Sequence, residues 1–221
     1  MRICVLTTGR QDWGILRSTA ALLRGSPDHE LFLLAGGMAC AAEHGDVAAE
    51  LEADGFSVTR RLDWLADTAE LPAFAQAGAA LTMGGRALRE LRPEALMLVG
   101  DRFEALAIAQ AATLVGVPIV HLHGGEETEG AIDNVIRHAI TKLSHLHLVS
   151  HPEYAARVRA MGEAATSVHV VGAPGLDNLR RPDLLSRAEL AASLGLPLTA
   201  PVVGVTVHPT TLTDTPDAEV R

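Results

Sequence analysis

The chain has 221 residues, 48% hydrophobic and 20% charged, with 27 acidic against 18 basic side chains and a formal charge of -9. That length suits one large domain or one domain plus part of another, and with aromatic residues at only 3% the core must be built from Ala, Leu and Val. The acidic balance, without a Lys/Arg stripe, argues against nucleic acid as the main partner, because phosphate neutralisation supplies most non-specific affinity. Cys4 and Cys40 are too few for a disulfide framework or a thiolate zinc site and read as reduced thiols. The most apolar segment, residues 105–120, is interrupted by Gln110, Gly116 and Pro118 and is too short to cross a bilayer. Met1-Arg2 runs straight into a strand-like segment with no room for a signal peptide, so the expectation is a cytoplasmic protein with no membrane partner.

Residues 3–7 form a continuous apolar run suited to a central parallel strand covered on both faces. The turn Thr8-Gly9-Arg10-Gln11-Asp12 leads into a helix carrying Ile15, Leu16, Ala20 and Leu23. This turn is not the G-x-G-x-x-G fingerprint, so no dinucleotide cofactor, and no other cofactor, is expected. Arg10 stands at the mouth of the first strand, where a guanidinium can grip a phosphate or carboxylate; the alternative is a surface pair with Asp12. A strand is expected at residues 31–34, a helix at 41–54 and a short third strand at 56–59. Residues 63–76, polar and containing Pro72, read as an extended loop or lid, and a helix follows over 78–91.

The segment from Val99 to Leu146 organises the rest. An apolar run at 96–99 stops at Gly100-Asp101 and a helical pattern follows; a second run at 117–122 ends at His123-Gly124-Gly125-Glu126, before another helix opening near Asp133. Ligands of open α/β sheets bind beyond the carboxyl ends of the strands, which is where Asp101, His123, Glu126 and Asp133 emerge. The plain alternative is that Asp101 and Asp133 cap the helices behind them. Further strands are expected at 146–149 and 168–171, with a helix from His151-Pro152 to about Met161 between them. The β-α rhythm predicts a doubly wound, Rossmann-like parallel sheet. Gly172-Ala173-Pro174-Gly175 breaks it, Arg180-Arg181-Pro182 reads as a linker, and a helix at 187–194 and a strand at 202–207 follow. One helix and one strand cannot bury a core, so residues 1–175 are expected to form one domain and 176–221 the start of an incomplete second one. The pairs His121-x-His123 and His145-x-His147 have a spacing that can bind metal, but without a third ligand no metal site is assigned.

The blocks T-G-R-Q-D-W-G, V-G-D-R-F-E-A-L, H-L-H-G-G-E-E-T-E-G-A-I-D with I-R-H-A-I-T-K-L-S-H, V-G-A-P-G-L-D-N-L and V-H-P-T-T resemble the hydrolysing UDP-N-acetylglucosamine 2-epimerases of sialic-acid biosynthesis, in order along nearly the whole chain. The resemblance implies the amino-terminal half of a glycosyltransferase-B arrangement, with catalysis between two Rossmann-like domains. It implies a UDP-sugar substrate, loss of UDP from C1 and of a proton from C2, and hydration of the resulting glycal. By that likeness Asp101 or Asp133 serves proton transfer, His208 serves the leaving diphosphate, and the catalytic role of the Glu that some members carry in place of His123 has either moved to Glu126 or is shared with it. Arg10, Arg102, Arg137 and His138 are the substrate-binding candidates. Many relatives have a histidine after the G-M pair where this chain has Ala39, a role His44 would have to fill. Relatives continue into a second domain that holds the diphosphate, so the chain alone is expected to be nearly inactive, completed by that domain or as a homo-oligomer. The rival is a non-catalytic binding module of the same fold. A glycosyltransferase is disfavoured by the G-D-R-F and H-G-G-E blocks.

Overall fold

A computed structural model describes residues 1–45, 47–129 and 131–206. Seven strands form one parallel sheet: β1 (Arg2–Thr7), β2 (Glu30–Gly36), β3 (Arg60–Leu62), β4 (Ala95–Val99), β5 (Ile119–Leu122), β6 (Leu146–Val149) and β7 (Val168–Val170). The order is β3-β2-β1-β4-β5-β6-β7, so the winding reverses between β1 and β4. The helices are α1 (Arg10–Gly25), α2 (Val47–Ala53), α3 (Leu65–Thr68), α4 (Ala73–Leu91), α5 (Phe103–Val115), α6 (Asp133–Leu143), α7 (Pro152–Ala160) and α8 (Arg187–Leu194). This is the doubly wound, Rossmann-like architecture expected from the β-α rhythm.

The continuous apolar strands are explained by burial on both faces. In β1, Cys4 and Leu6 join one cluster while Ile3 and Val5 join the other; in β4, Leu96 and Leu98 divide from Met97 and Val99 in the same way. The first cluster is completed by Leu88 of α4, Ile108 of α5 and Ile140 of α6, the second by Trp13 and Leu16 of α1 and Leu51 of α2. Each fully buried leucine or isoleucine contributes roughly 1.5–3 kcal/mol. A smaller cluster of Val149, Ala155, Val158 and Val168 seats α7 on the far edge of the sheet.

Four expectations change. The third strand lies at Arg60–Leu62 and not at 56–59, because Phe56 turns inward and packs edge-on against Trp13, with ring centroids 5.0 Å apart. Residues 41–54 are not one helix: 3-10 turns at Gly37–Cys40 and Ala42–His44 precede α2, which starts only at Val47. The expected lid over 63–76 contains α3 and the first turn of α4, with Pro72 standing just outside the helix it precedes. Its Trp64 is 2% exposed, with the indole packed over Gly36-Gly37. In the carboxyl-terminal part, α8 lies at the expected residues, closed by a capping box between Ser186 and Glu189. The expected strand at 202–207 forms no ladder over 202–206; Val202, Val203 and Val205 are exposed, without the neighbouring strand that pairing requires, and Val207 lies outside the described residues.

Two glycines test this packing with opposite signs. Gly37 has φ +55°, and a Cβ there would sit 2.6 Å from the Trp64 ring, whereas a Cβ at Gly78 in α4 meets nothing within 4 Å. Gly37→Ala is expected to lower unfolding free energy by about 2–4 kcal/mol, and Gly78→Ala to raise it by about 0.5–1 kcal/mol. Urea denaturation of the two variants measures both.

Candidate active site

The tips of β4, β5 and β6 bring together most of the residues singled out from the sequence. Their hub is Arg137, whose side chain is 4% exposed. It lies in the second turn of α6, next to Ile136 and Ile140, which anchor that helix in the core. Its Nη1 donates to the Glu126 carbonyl at 2.8 Å and to Asn134 Oδ1 at 3.0 Å. Its Nη2 donates to Thr128 Oγ1 at 3.2 Å and forms an ion pair with the Asp101 carboxylate. A buried guanidinium demands such partners, because an unpaired charge in this environment is strongly destabilising. One side chain thereby ties the β4 tip to the loop that follows β5.

Neither aspartate is a helix N-cap. The N-cap of α5 is Arg102 and that of α6 is Ile132, neither of them with a side-chain cap bond. Asp101 is committed to Arg137, and Asp133 is the first residue of α6. Burial, and after it the neighbouring Asp101 carboxylate, raises the Asp133 pKa, while Arg137 and Arg102 act in the opposite direction. Two acidic groups are thus close enough to influence one another, Asp101 held in an ion pair and Asp133 with its pKa raised.

Beyond β5 the chain turns sharply. His123 adopts φ +63°, uncommon for a residue with a side chain. Gly125 follows with φ +79°, and a Cβ there would lie 2.6 Å from the Tyr154 carbonyl oxygen, so α7 packs directly on this loop. The Arg157 guanidinium, also from α7, binds the Gly125 carbonyl and reaches Glu127 Oε2 at 3.0 Å. Within the turn, His123 Nδ1 and Glu126 Oε1 are 2.6 Å apart, and Ser150 Oγ donates to the same oxygen at 2.6 Å. Burial is the largest influence on Glu126 and pushes its pKa up, but the bonds from His123 and Ser150 and the nearby charges together hold it below the ordinary value.

Beneath this layer, the fully buried His121 has Nε2 2.9 Å from the Gly100 carbonyl and Nδ1 3.3 Å from Thr141 Oγ1. It therefore links the turn that presents Asp101 to the helix that carries Arg137. Burial is the main reason its pKa falls to about 4, so the imidazole is neutral and donates Nε2–H to the carbonyl. His147 is its register partner on β6 and lies 3.2 Å from Glu163. His145 Nδ1 accepts from the Ile119 amide. Among the described residues, no three His, Cys, Asp or Glu side chains come together as a metal site.

The remaining candidates are divided. Arg102 pairs with the buried Glu104 at 2.6 Å and keeps a 34% exposed side chain close to the β4 tip. His138 is half-buried beside Arg137 and Arg157, and burial, more than those charges, lowers its pKa. Arg10 does not pair with Asp12: it binds Glu50 at 2.5 Å, while Asp12 is buried and accepts from the Thr8 backbone and hydroxyl. Arg10 also lines a cleft of about 360 Å³ between α1, α2 and the 174–180 turn, whose lining includes none of the strand-tip carboxylates. His208 lies outside the described residues, as does the side chain of His44. Sequence reasoning missed Ser150, Thr128 and Asn134. Ser150 was within reach of the strand-tip rule applied to β6, but Thr128 and Asn134 carried no signal.

A family model described as UDP-N-acetylglucosamine 2-epimerase matches residues 21–221. The GDP/UDP-N,N'-diacetylbacillosamine 2-epimerase (hydrolyzing) of Campylobacter jejuni is 32% identical over 212 residues, covering 96% of this chain and 55% of that protein. The UDP-N,N'-diacetylbacillosamine 2-epimerase (hydrolyzing) of Legionella pneumophila is 37% identical over 179 residues, covering 80% and 47%. In fold, the chain is similar to the UDP-GlcNAc 2-epimerase of Neisseria meningitidis bound to UDP-GlcNAc, with a TM-score of 0.74 at 14% identity over 81% of this chain and 49% of that one. The chain spans about half the length of the curated relatives it matches. Among the described residues no helix is long and apolar enough to cross a membrane.

The neutral His121 makes a pH prediction. Its proton affinity falls from the ordinary 6.5 to about 4 on folding, so the unfolded chain binds more protons between those values. This contribution is fully present above pH 6.5 and is lost as pH falls toward 4. Between pH 7 and 4.5, His121→Asn is expected to lose less stability than the wild type by on the order of 2–3 kcal/mol. Denaturation curves at the two pH values give that difference, which separates His121 from His138 and His147, whose pKa values are also lowered.

Proposed function

The chain belongs to the UDP-N-acetylglucosamine 2-epimerase family, and from that premise we propose that it works, with a second Rossmann-like domain, as a hydrolysing sugar-nucleotide 2-epimerase. The substrate class is a UDP-activated N-acetyl sugar, such as UDP-N-acetylglucosamine. The observation that carries the reading is the meeting of Asp101, Asp133 and Arg137 at the strand tips, with Asp101 ion-paired to Arg137 and the Asp133 pKa raised by burial and by the Asp101 carboxylate. The hydrolysing type is supported by the names of two relatives, those of Campylobacter jejuni and Legionella pneumophila.

In the reaction, the C1–O bond breaks with its electron pair leaving on the diphosphate, and positive charge develops at C1. The C2 proton then becomes acidic and passes to Asp133, its bonding pair forming the C1–C2 double bond. Asp101, fixed by Arg137, supplies negative charge to the cationic centre. A proton delivered from solvent to the opposite face of C2 inverts the centre while water adds to C1, giving N-acetylmannosamine and UDP, and Asp133 releases the proton it took. Arg102 and His138 bind the sugar nucleotide near the β4 tip. Arg10 and His208 are assigned to its phosphates, and their convergence depends on the second domain.

Residues 1–175 form the first domain in this reading and 176–221 begin the second. Support comes from α8, in which no residue is buried, and from the exposed Leu184, Leu185, Leu194 and Leu196 around it. An unpartnered apolar stretch of this kind needs a cover.

The test is release of UDP and formation of N-acetylmannosamine by the 221-residue chain, alone and joined to a family second domain. The isolated chain is expected to stay at background and the joined protein to turn over, with Asp133→Asn lowering kcat at least about 100-fold. Tight UDP-sugar binding without turnover in the joined protein would favour a binding module instead.

A further inference from the structure

Ser150 is the first residue beyond β6, and it closes a chain of three polar groups that spans two strand tips. Its hydroxyl and His123 Nδ1 both lie 2.6 Å from one oxygen, Glu126 Oε1. The His123 backbone is held at φ +63° by its amide, which donates to the Leu148 carbonyl at 3.2 Å. A non-glycine residue in that region costs on the order of 1–3 kcal/mol, and such strain persists where surrounding structure enforces it. The imidazole is 15% exposed, and its second nitrogen, Nε2, is buried without a hydrogen-bond partner. A carboxylate at Nδ1 selects the tautomer with the proton on Nδ1, which leaves Nε2 as an unpaired buried acceptor. Such an acceptor costs about 1–3 kcal/mol unless something donates to it.

We propose that Ser150 is a positioning residue: it pins the Glu126 carboxylate against His123 Nδ1, so that His123 offers Nε2 as the base for the water that adds to C1. The chemical assignment rests on the epimerase reading; the positioning does not. In the step, one water O–H bond breaks, the oxygen bonds to C1, and the proton passes to Nε2. The resulting imidazolium is stabilised by Glu126 and releases its proton to solvent, which balances the added charge on the departing UDP. C2 receives its own proton from solvent, on the face opposite Asp133. The group at this position is therefore an imidazole backed by a carboxylate, held in turn by a hydroxyl.

Nitrogen-15 NMR of the histidine-labelled chain tests the positioning without any turnover. In the wild type the neutral His123 ring is expected to be the Nδ1–H tautomer. Ser150→Ala should shift the major population to Nε2–H, and Ser150→Thr, which keeps the hydroxyl, should restore Nδ1–H. Ser150→Cys, which conserves volume but donates weakly, should behave like the alanine variant and stands in for it if that variant folds poorly. In the joined two-domain protein, Ser150→Ala should lower kcat about 10-fold with KM changed less than about two-fold, and threonine should recover most of the loss. A His123 tautomer unchanged in both the alanine and cysteine variants overturns the proposal whatever the activity. A shifted tautomer in a joined protein that never releases UDP leaves Ser150 as the positioning residue and removes the epimerase reading instead.

Discussion

A single buried positive charge governs the carboxyl end of this sheet. Arg137 is carried by a helix whose neighbouring isoleucines are in the core, so its guanidinium cannot withdraw to solvent without dislodging that helix. It must be neutralised and hydrogen-bonded where it is. The loop after β5 supplies a backbone carbonyl and a threonine hydroxyl, α6 supplies Asn134, and the tip of β4 supplies a carboxylate. The loop conformation follows from these demands as much as from its glycines. Asn134 also accepts from the Thr128 amide at 2.7 Å and donates to the Thr128 carbonyl at 3.0 Å, closing the loop over the guanidinium.

Two further constraints act on the same turn from opposite sides. From below, the neutral His121 joins the Gly100 carbonyl to Thr141, so the β4 tip and α6 share a buried contact as well as the ion pair above it. From the side, α7 contributes Arg157 and the Tyr154 carbonyl, against which only a glycine fits at position 125. Preorganisation here is a consequence of polar groups that must be satisfied inside the protein. It also explains how His123 can keep an unfavourable backbone conformation: its amide, its ring and the residues on both sides of it are independently tied down.

The sheet itself was legible because its strands obey a simple rule. Residues 3–7 and 96–99 are apolar without alternation, and burial on both faces is what that pattern requires. The errors fall where local pattern and tertiary demand diverge. Phe56 and Val58 looked like a strand, but the phenyl ring is drawn onto Trp13 and the ladder starts only at Arg60. Pro72 suggested a loop although it stands at a helix start. In the candidate site, Asp101, His123, Glu126 and Asp133 could be found because each follows a strand or opens a helix. The partners that hold them were harder to see. That Arg10 would choose Glu50 over Asp12 depends on Asp12 turning back to Thr8, a bond with no sequence signature. Thr128 and Asn134 matter only because a guanidinium from the next helix arrives between them.

The direct measurement is amide hydrogen exchange in the Arg137→Met chain compared with the wild type. If the buried guanidinium is what organises the site, protection should be lost over the loop between Gly124 and Thr128 while β1, β4 and β5 keep theirs. Unchanged protection in that loop, with the chain still folded, would contradict the account.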